Sequence, residues 1–230
     1  MNIQTNIKLL PLLAMTIIIG NSYQLVASSP IKVAVFCGAD DKVCDQFKAA
    51  AYNLGRQLGT NNFGLVTGGS RTGLMNEITN GYMSTLANPQ HLHGVIPQVL
   101  AQYDIHHRSI PQENIRWTKT IHTRLATFHE LTDAIIVLPG GFGTLHELMD
   151  FLVHRQFGLN KKPIILFNPN GFWNSLLMQF NIMIEQKLLS PKHMEVFAVV
   201  SCEDECIQVL TMQDQFTSQH GLNSHYWEQK

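Results

Sequence analysis

The stretch "AIIV", Ala134–Val137, runs without polar alternation into "LPGGFGTLHELMD", Leu138–Asp150. A strand that does not alternate is buried on both faces, so it needs helices above and below it. This one feature commits the chain to a layered α/β architecture rather than to a half-solvated antiparallel sheet. Three glycines (Gly140, Gly141 and Gly143) then lead into a helical segment carrying Glu147. Two readings of that turn are open. Thr144 and Glu147 form a T-x-x-E capping box that satisfies the free amides opening the helix. Alternatively, the glycines let backbone amides approach a phosphate, and Glu147 is a carboxylate aimed at whatever that phosphate carries.

The rest of the chain repeats the strand–helix alternation. "IKVAVFC", "FGLVTGG", "HGVIP", "KPIILFN" and "FAVV" read as further strands. Helical spacing covers Lys42 to Leu58, a segment from about Gly73, Ile121 to Leu131, Thr144 to about Phe157, Phe172 to Lys187, and a segment from Asp204. In the third of these, Ile121, Leu125 and Phe128 share one face. Continuous apolar strands alternating with helices predict a parallel, doubly wound sheet in a three-layer α/β/α sandwich. The 230 residues suit one such domain, over residues 29–211, followed by a polar, aperiodic tail over residues 212–230.

The N-terminus reads differently. "MNIQTNIK" carries one lysine, "LLPLLAMTIIIG" is apolar, and "NSYQLVASS" is polar with small residues. That order predicts a secretory signal peptide over residues 1–28, with Val26 and Ser28 before the cut. The apolar stretch is short of the roughly 20 residues needed to span a bilayer, so no stable membrane anchor is expected after processing. Export to the periplasm or outside is therefore expected if the peptide is cleaved, and a cytoplasmic protein otherwise. Cys37–Cys44 and Cys202–Cys206 are then disulfide candidates by proximity alone. Cys202 and Cys206 lack further ligands for a recognisable zinc set. The net charge is −1 with no basic block, which argues against nucleic-acid binding through counterion release.

Ligands of open parallel sheets bind beyond the carboxyl ends of the strands, where glycine turns lead into helix N-termini. Two such turns occur, "TGGSRTGLMNE" and "PGGFGTLHE". The first strand runs instead into "CGADDKVC", which is not the G-x-G-x-x-G of dinucleotide binding. Two glycine turns without that fingerprint suggest a mononucleotide or a phosphosugar.

"GGSRTGLM", "IHTRLATFHELTDAIIVLPGGFGTLHEL" and "KKPIILFNPNGFWNSLL" together resemble the Lonely Guy (LOG) family of nucleotide phosphoribohydrolases, often mislabelled lysine decarboxylases. The similarity runs from about Ile31 to Leu210, and Pro139 to Glu147 match the family's P-G-G-x-G-T-x-x-E element without a gap. The resemblance implies a Rossmann-like sandwich, a homodimer, and no metal or organic cofactor. It also implies hydrolysis of the N-glycosidic bond of cytokinin riboside 5′-monophosphates or AMP, releasing free base and ribose 5-phosphate. The family's M-H-x-R-K element reads Ile121-His122-Thr123-Arg124-Leu125 here, so the arginine is kept and the lysine is replaced. Ser70, Asn76 and His154 also stand where relatives commonly carry other residues. A non-catalytic nucleotide-binding or sensing protein on the same fold is the alternative that Leu125 motivates.

The chemistry fits these residues. Breaking a ribosyl–nitrogen bond builds positive charge on the sugar, which a nearby carboxylate stabilises. Glu147 is expected in that role, with Arg124 holding phosphate or orienting Glu147. The amides of Gly140, Gly141, Gly143 and Thr144 are expected to hold the 5′-phosphate, with Gly69, Ser70 and Thr72 adding hydrogen bonds to phosphate or ribose. His129, His146 and His154 lie in helical segments without a complete ligand set, and each reads as a surface or boundary residue.

Overall fold

The structure is a computed structural model that describes residues 16–19, 22–25, 29–103 and 106–212. It divides into an N-terminal unit, Met1–Pro30, and a main unit, Ile31–Lys230. In the first, β1 (Thr16–Ile19) pairs antiparallel with β2 (Ser22–Leu25). The expected cleavage region at Val26–Ser28 and nearly all of the expected tail lie outside the described residues. Among the described residues, no helix is long and apolar enough to cross a membrane.

The main unit holds a seven-stranded sheet: β3 (Lys32–Phe36), β4 (Gly64–Thr67), β5 (Leu92–Pro97), β6 (Ile115–Thr118), β7 (Ala134–Val137), β8 (Ile164–Phe167) and β9 (Ala198–Val200). Every pairing is parallel, and the spatial order is β6-β5-β4-β3-β7-β8-β9. The chain therefore builds outward from β3 on one side and then returns to its other side with β7. Ala34 sits between Val66 of β4 and Ile135 of β7 in register.

Strand residues alternate between two apolar layers, which explains the unbroken hydrophobic runs. Val33, Val35 and Ile136 pack against Leu54 and Leu58 of α1 (Asp45–Thr60), Ile78 and Tyr82 of α2 (Gly73–Met83), and Leu210 of α6 (Glu203–Thr211). Ala34, Phe36 and Val137 pack against Phe128 of α3 (Ile121–Leu131), Leu148 and Phe151 of α4 (Phe142–Gln156), and Phe180 of α5 (Asn174–Glu185). Both faces of the sheet are covered, as the three-layer sandwich requires. On the α1–α2 side, a Cβ on Gly81 would lie 1.9 Å from the Tyr52 carbonyl oxygen, so bare backbone allows the two helices to meet.

Several boundaries differ from the sequence expectations. β6 is an additional strand at the sheet edge; its short run "IRWT" has two exposed central residues and no apolar block. α4 begins two residues earlier than expected, at Phe142, because Gly141 rather than Thr144 is its N-cap. The four cysteines are free thiols, Cys37 and Cys206 buried, Cys44 and Cys202 exposed.

Candidate active site

The order reversal between β3 and β7 leaves their carboxyl ends side by side with no connection crossing between them. There the Leu138 amide donates to the Phe36 carbonyl at 2.9 Å, and the Gly38 amide to the Pro139 carbonyl at 3.0 Å. A cavity of about 270 Å³ opens at this point, lined among others by Cys37, Gly38, Gly68, Arg124 and Glu147.

One wall of the cavity is the N-terminus of α4. A Cβ on Gly140 would fall 2.1 Å from the Thr144 hydroxyl and 3.0 Å from the Gly38 nitrogen, so the turn needs glycine there to close. Gly141 and Gly143 differ: an added Cβ on either meets nothing within 4 Å. Both line the cavity, so what their missing side chains leave open is ligand space. The Leu145 amide is taken by the Gly141 carbonyl at 3.0 Å. The amides just before it belong to the first turn, where a helix has no internal acceptors to offer, and they carry the positive end of the helix dipole.

Glu147 does not cap its own helix. Gly141 is the N-cap and receives no side-chain hydrogen bond, which places Thr144 and Glu147 too far into α4 for a capping box. A capping box is found instead at α3, between Thr120 and Thr123. The Glu147 carboxylate accepts a short hydrogen bond from Arg124 Nη1 and forms an ion pair with it. The Arg124 Nε donates to the Val95 carbonyl at 3.1 Å, and its guanidinium carbon sits 4.9 Å from the centre of the Phe128 ring. A Cβ on Gly68 would come 2.7 Å from Arg124 Nη2, so the guanidinium occupies the space that Gly68 leaves.

Burial pushes the Glu147 carboxyl above its ordinary range, and the charge and hydrogen bond of Arg124 pull it back. The adjacent Cys37 thiol is pushed up, first by burial and then by the charge of Glu147. It is therefore a neutral thiol at the cavity floor and not a thiolate nucleophile.

Of the residues expected from sequence, Arg124, Glu147, Gly141, Gly143 and Thr144 line the cavity together. Gly140 lines an adjoining recess of about 510 Å³ with Asp40, Lys42 and Phe172. Gly69, Ser70 and Thr72 lie outside the cavity lining. Their groups are used internally: the Ser70 and Thr72 hydroxyls bond each other at 2.8 Å, and the Gly69 carbonyl accepts from the His107 amide at 2.8 Å. The helix N-terminus after this first glycine turn is also occupied. Asp41 accepts from the Gly73 amide at 2.7 Å, and the Gly38 carbonyl from the Leu74 amide at 2.9 Å. The second turn presents its helix N-terminus to the cavity, while the first contributes Gly68 and Met75 to the lining. His122 is exposed and outside the lining, and Leu125 is buried outside it.

Sequence reasoning missed Gly38, Gly68 and Met75, and considered Cys37 as a disulfide candidate but not as a residue of the site. The strand-end rule that located the glycine turns also points to Cys37 and Gly38. Nothing local marks Gly68 over Gly69.

A family model described as "Possible lysine decarboxylase" matches residues 75–210. The cytokinin riboside 5′-monophosphate phosphoribohydrolase LOG3 of Arabidopsis thaliana is 31% identical over 179 residues, covering 78% of this chain and 81% of that protein. LOG1 of the same plant is 32% identical over 179 residues, covering 78% and 82%. Among solved structures, the molybdenum cofactor binding protein of Rippkaea orientalis superposes with a TM-score of 0.61 at 18% identity, covering 80% of this chain and 98% of that one. That last likeness concerns the fold alone. With a sandwich of the Rossmann-like type, a family model that matches residues 75–210 and relatives of this identity and coverage, the chain belongs to the LOG family.

Proposed function

We propose that the chain hydrolyses the N-glycosidic bond of nucleoside 5′-monophosphates, cytokinin riboside 5′-monophosphate or AMP, to free base and ribose 5-phosphate. One observation carries the reading. Glu147 is turned away from its own backbone into the cavity, where Arg124 holds it beside the open N-terminus of α4.

The proposed division of labour follows from that geometry. The first-turn amides of α4 hold the 5′-phosphate, using the space beside Gly141 and Gly143. The ribose then lies towards Glu147, one turn further along the helix. As the bond to the base lengthens, the sugar acquires oxocarbenium character, and the carboxylate stabilises that charge and accepts a proton from the attacking water. Arg124 aims the carboxylate and opposes the upward pull of burial on it, and its remaining donors are available to the phosphate. The pair needs no lysine at position 125, because Leu125 lies outside the cavity lining. Lysine decarboxylation finds no support in the lining, which holds no lysine to form a Schiff base.

The test is release of free base from AMP and isopentenyladenosine monophosphate by the purified chain, with the Glu147→Gln variant beside it. Absence of release by wild type, or equal release by the variant, rejects the reading. Tight nucleotide binding without turnover would select the sensing alternative; the fold is silent on this choice, since the molybdenum cofactor binding protein of Rippkaea orientalis shares it. The same reading includes a homodimer, tested by sedimentation, and an exported mature protein, tested by sequencing its N-terminus from cells.

A further inference from the structure

α3 and α4 carry the Arg124–Glu147 pair, and further along the same two helices they bring a second set of polar groups together. His129 comes from α3; Asp150 and His154 lie one turn apart on α4. His129 Nε2 donates to Asp150 Oδ2 at 2.7 Å, and His154 Nδ1 is 3.6 Å from the same oxygen. One ring nitrogen from each histidine and one oxygen from Asp150 all lie within 4.8 Å of one another. None of these residues lines the active cavity.

The rings are held in place by packing. His129 stacks on Phe151 with centroids 3.8 Å apart and planes 19° apart, and its ring centre is 4.1 Å from that of His154. His154 Nδ1 also donates to the Asp150 carbonyl at 2.8 Å, and the Lys162 ammonium fixes the His129 carbonyl without using the ring. All three residues are half-buried, so an ion would reach them from solvent and still find low water competition.

Two imidazoles and a carboxylate suit first-row divalent transition metals and leave positions for water. Metal–ligand bonds of about 2.0–2.2 Å place tetrahedral donor atoms roughly 3.3 Å apart, between the separations present here. We propose that His129, Asp150 and His154 bind a divalent transition metal ion of the zinc type, which replaces the His129–Asp150 hydrogen bond and ties α3 to α4. Each ligating ring nitrogen is then unprotonated, its proton carried by the other ring nitrogen. The ion takes no part in the reaction. It fixes the spacing of the two helices that present Arg124 and Glu147, and the inference stands or falls independently of the reaction assigned to them. The plain alternative is that the trio is only an interhelical hydrogen bond with a neighbouring ring.

The full chain, stripped with a chelator, is to be titrated with Zn2+ by calorimetry and with Co2+ by visible absorption, alongside His154→Ala and Asp150→Asn. Both substitutions fall at half-buried positions, and circular dichroism verifies that the variants are folded. The expected result is one saturable site per chain with cobalt ligand-field bands, weakened at least about tenfold in each variant. Zn2+ at a hundredfold excess over its Kd should also raise the unfolding midpoint of the wild type by about 5 °C. Binding that is absent, or equal in wild type and both variants, overturns the proposal.

Discussion

Arg124 reaches from α3 to the Glu147 carboxylate on α4, so the ion pair in the cavity joins two different helices and forms only in the folded sandwich. The guanidinium is itself tied to the Val95 carbonyl of β5, which leaves little freedom in where the carboxylate points. Glu147→Gln keeps the shape and removes the charge. It should lower kcat for base release by about 10³-fold with little change in KM, as expected for a group acting mainly in the transition state. Steady-state kinetics with AMP read both constants.

Arg124→Ala leaves Glu147 buried without its ion-pair partner. Its carboxyl is already raised by burial, and removing Arg124 raises it further. A carboxyl whose folded pKa lies above its unfolded value loses stability as pH rises through the folded pKa. The variant should therefore be less stable than wild type by about 3 kcal/mol at pH 8 and recover towards pH 5 as Glu147 takes up its proton. Urea unfolding at the two pH values measures this.

Gly143→Ala separates ligand space from packing. The added methyl meets no protein atom and alanine is the better helix former, so the unfolding midpoint should hold or rise slightly. The methyl enters the space assigned to the phosphate, so KM for AMP should rise about tenfold. An unchanged KM would place the phosphate elsewhere.

How much of this was legible in the residues depends on whether the signal is local. The apolar runs of β3, β7 and β8 announce themselves, because burial on both faces requires them to be apolar throughout. β6 does not, since an edge strand with two exposed residues has no such run. The start of α4 was misplaced because Thr144 and Glu147 carry the spacing of a capping box, while the true N-cap, Gly141, contributes no side chain. Ser70 and Thr72 look like ligand groups in sequence, and in the fold their hydroxyls share a hydrogen bond, while Asp41 from a distant loop accepts from the Gly73 amide at the neighbouring helix end. The histidine trio is invisible one helix at a time, because His129 finds its partners only when α3 lies against α4.

His93 gives a pH test away from the cavity. Burial, helped by Lys32, Arg116 and His91, pushes its pKa down to about 4. Between that value and the ordinary histidine value near 6.5 the unfolded chain binds a proton that the folded chain refuses, so stability falls as pH drops through this window. His93→Gln should flatten that fall by about 1–2 kcal/mol, allowing for solvent screening of a half-buried ring. His107 and His129, both lowered by burial, account for part of the remainder, so the comparison is wild type against variant from pH 7 to pH 4.

The nook at Gly68 has a wider consequence. A hydrogen in place of a methyl just after β4 is what lets a guanidinium from α3 sit in the cavity lining. The arginine and this glycine, far apart in the chain, are therefore one heritable unit. A bulkier residue at 68 evicts the cation, while a shorter one at 124 opens a hole, so a descendant can change either position only by accommodating the other.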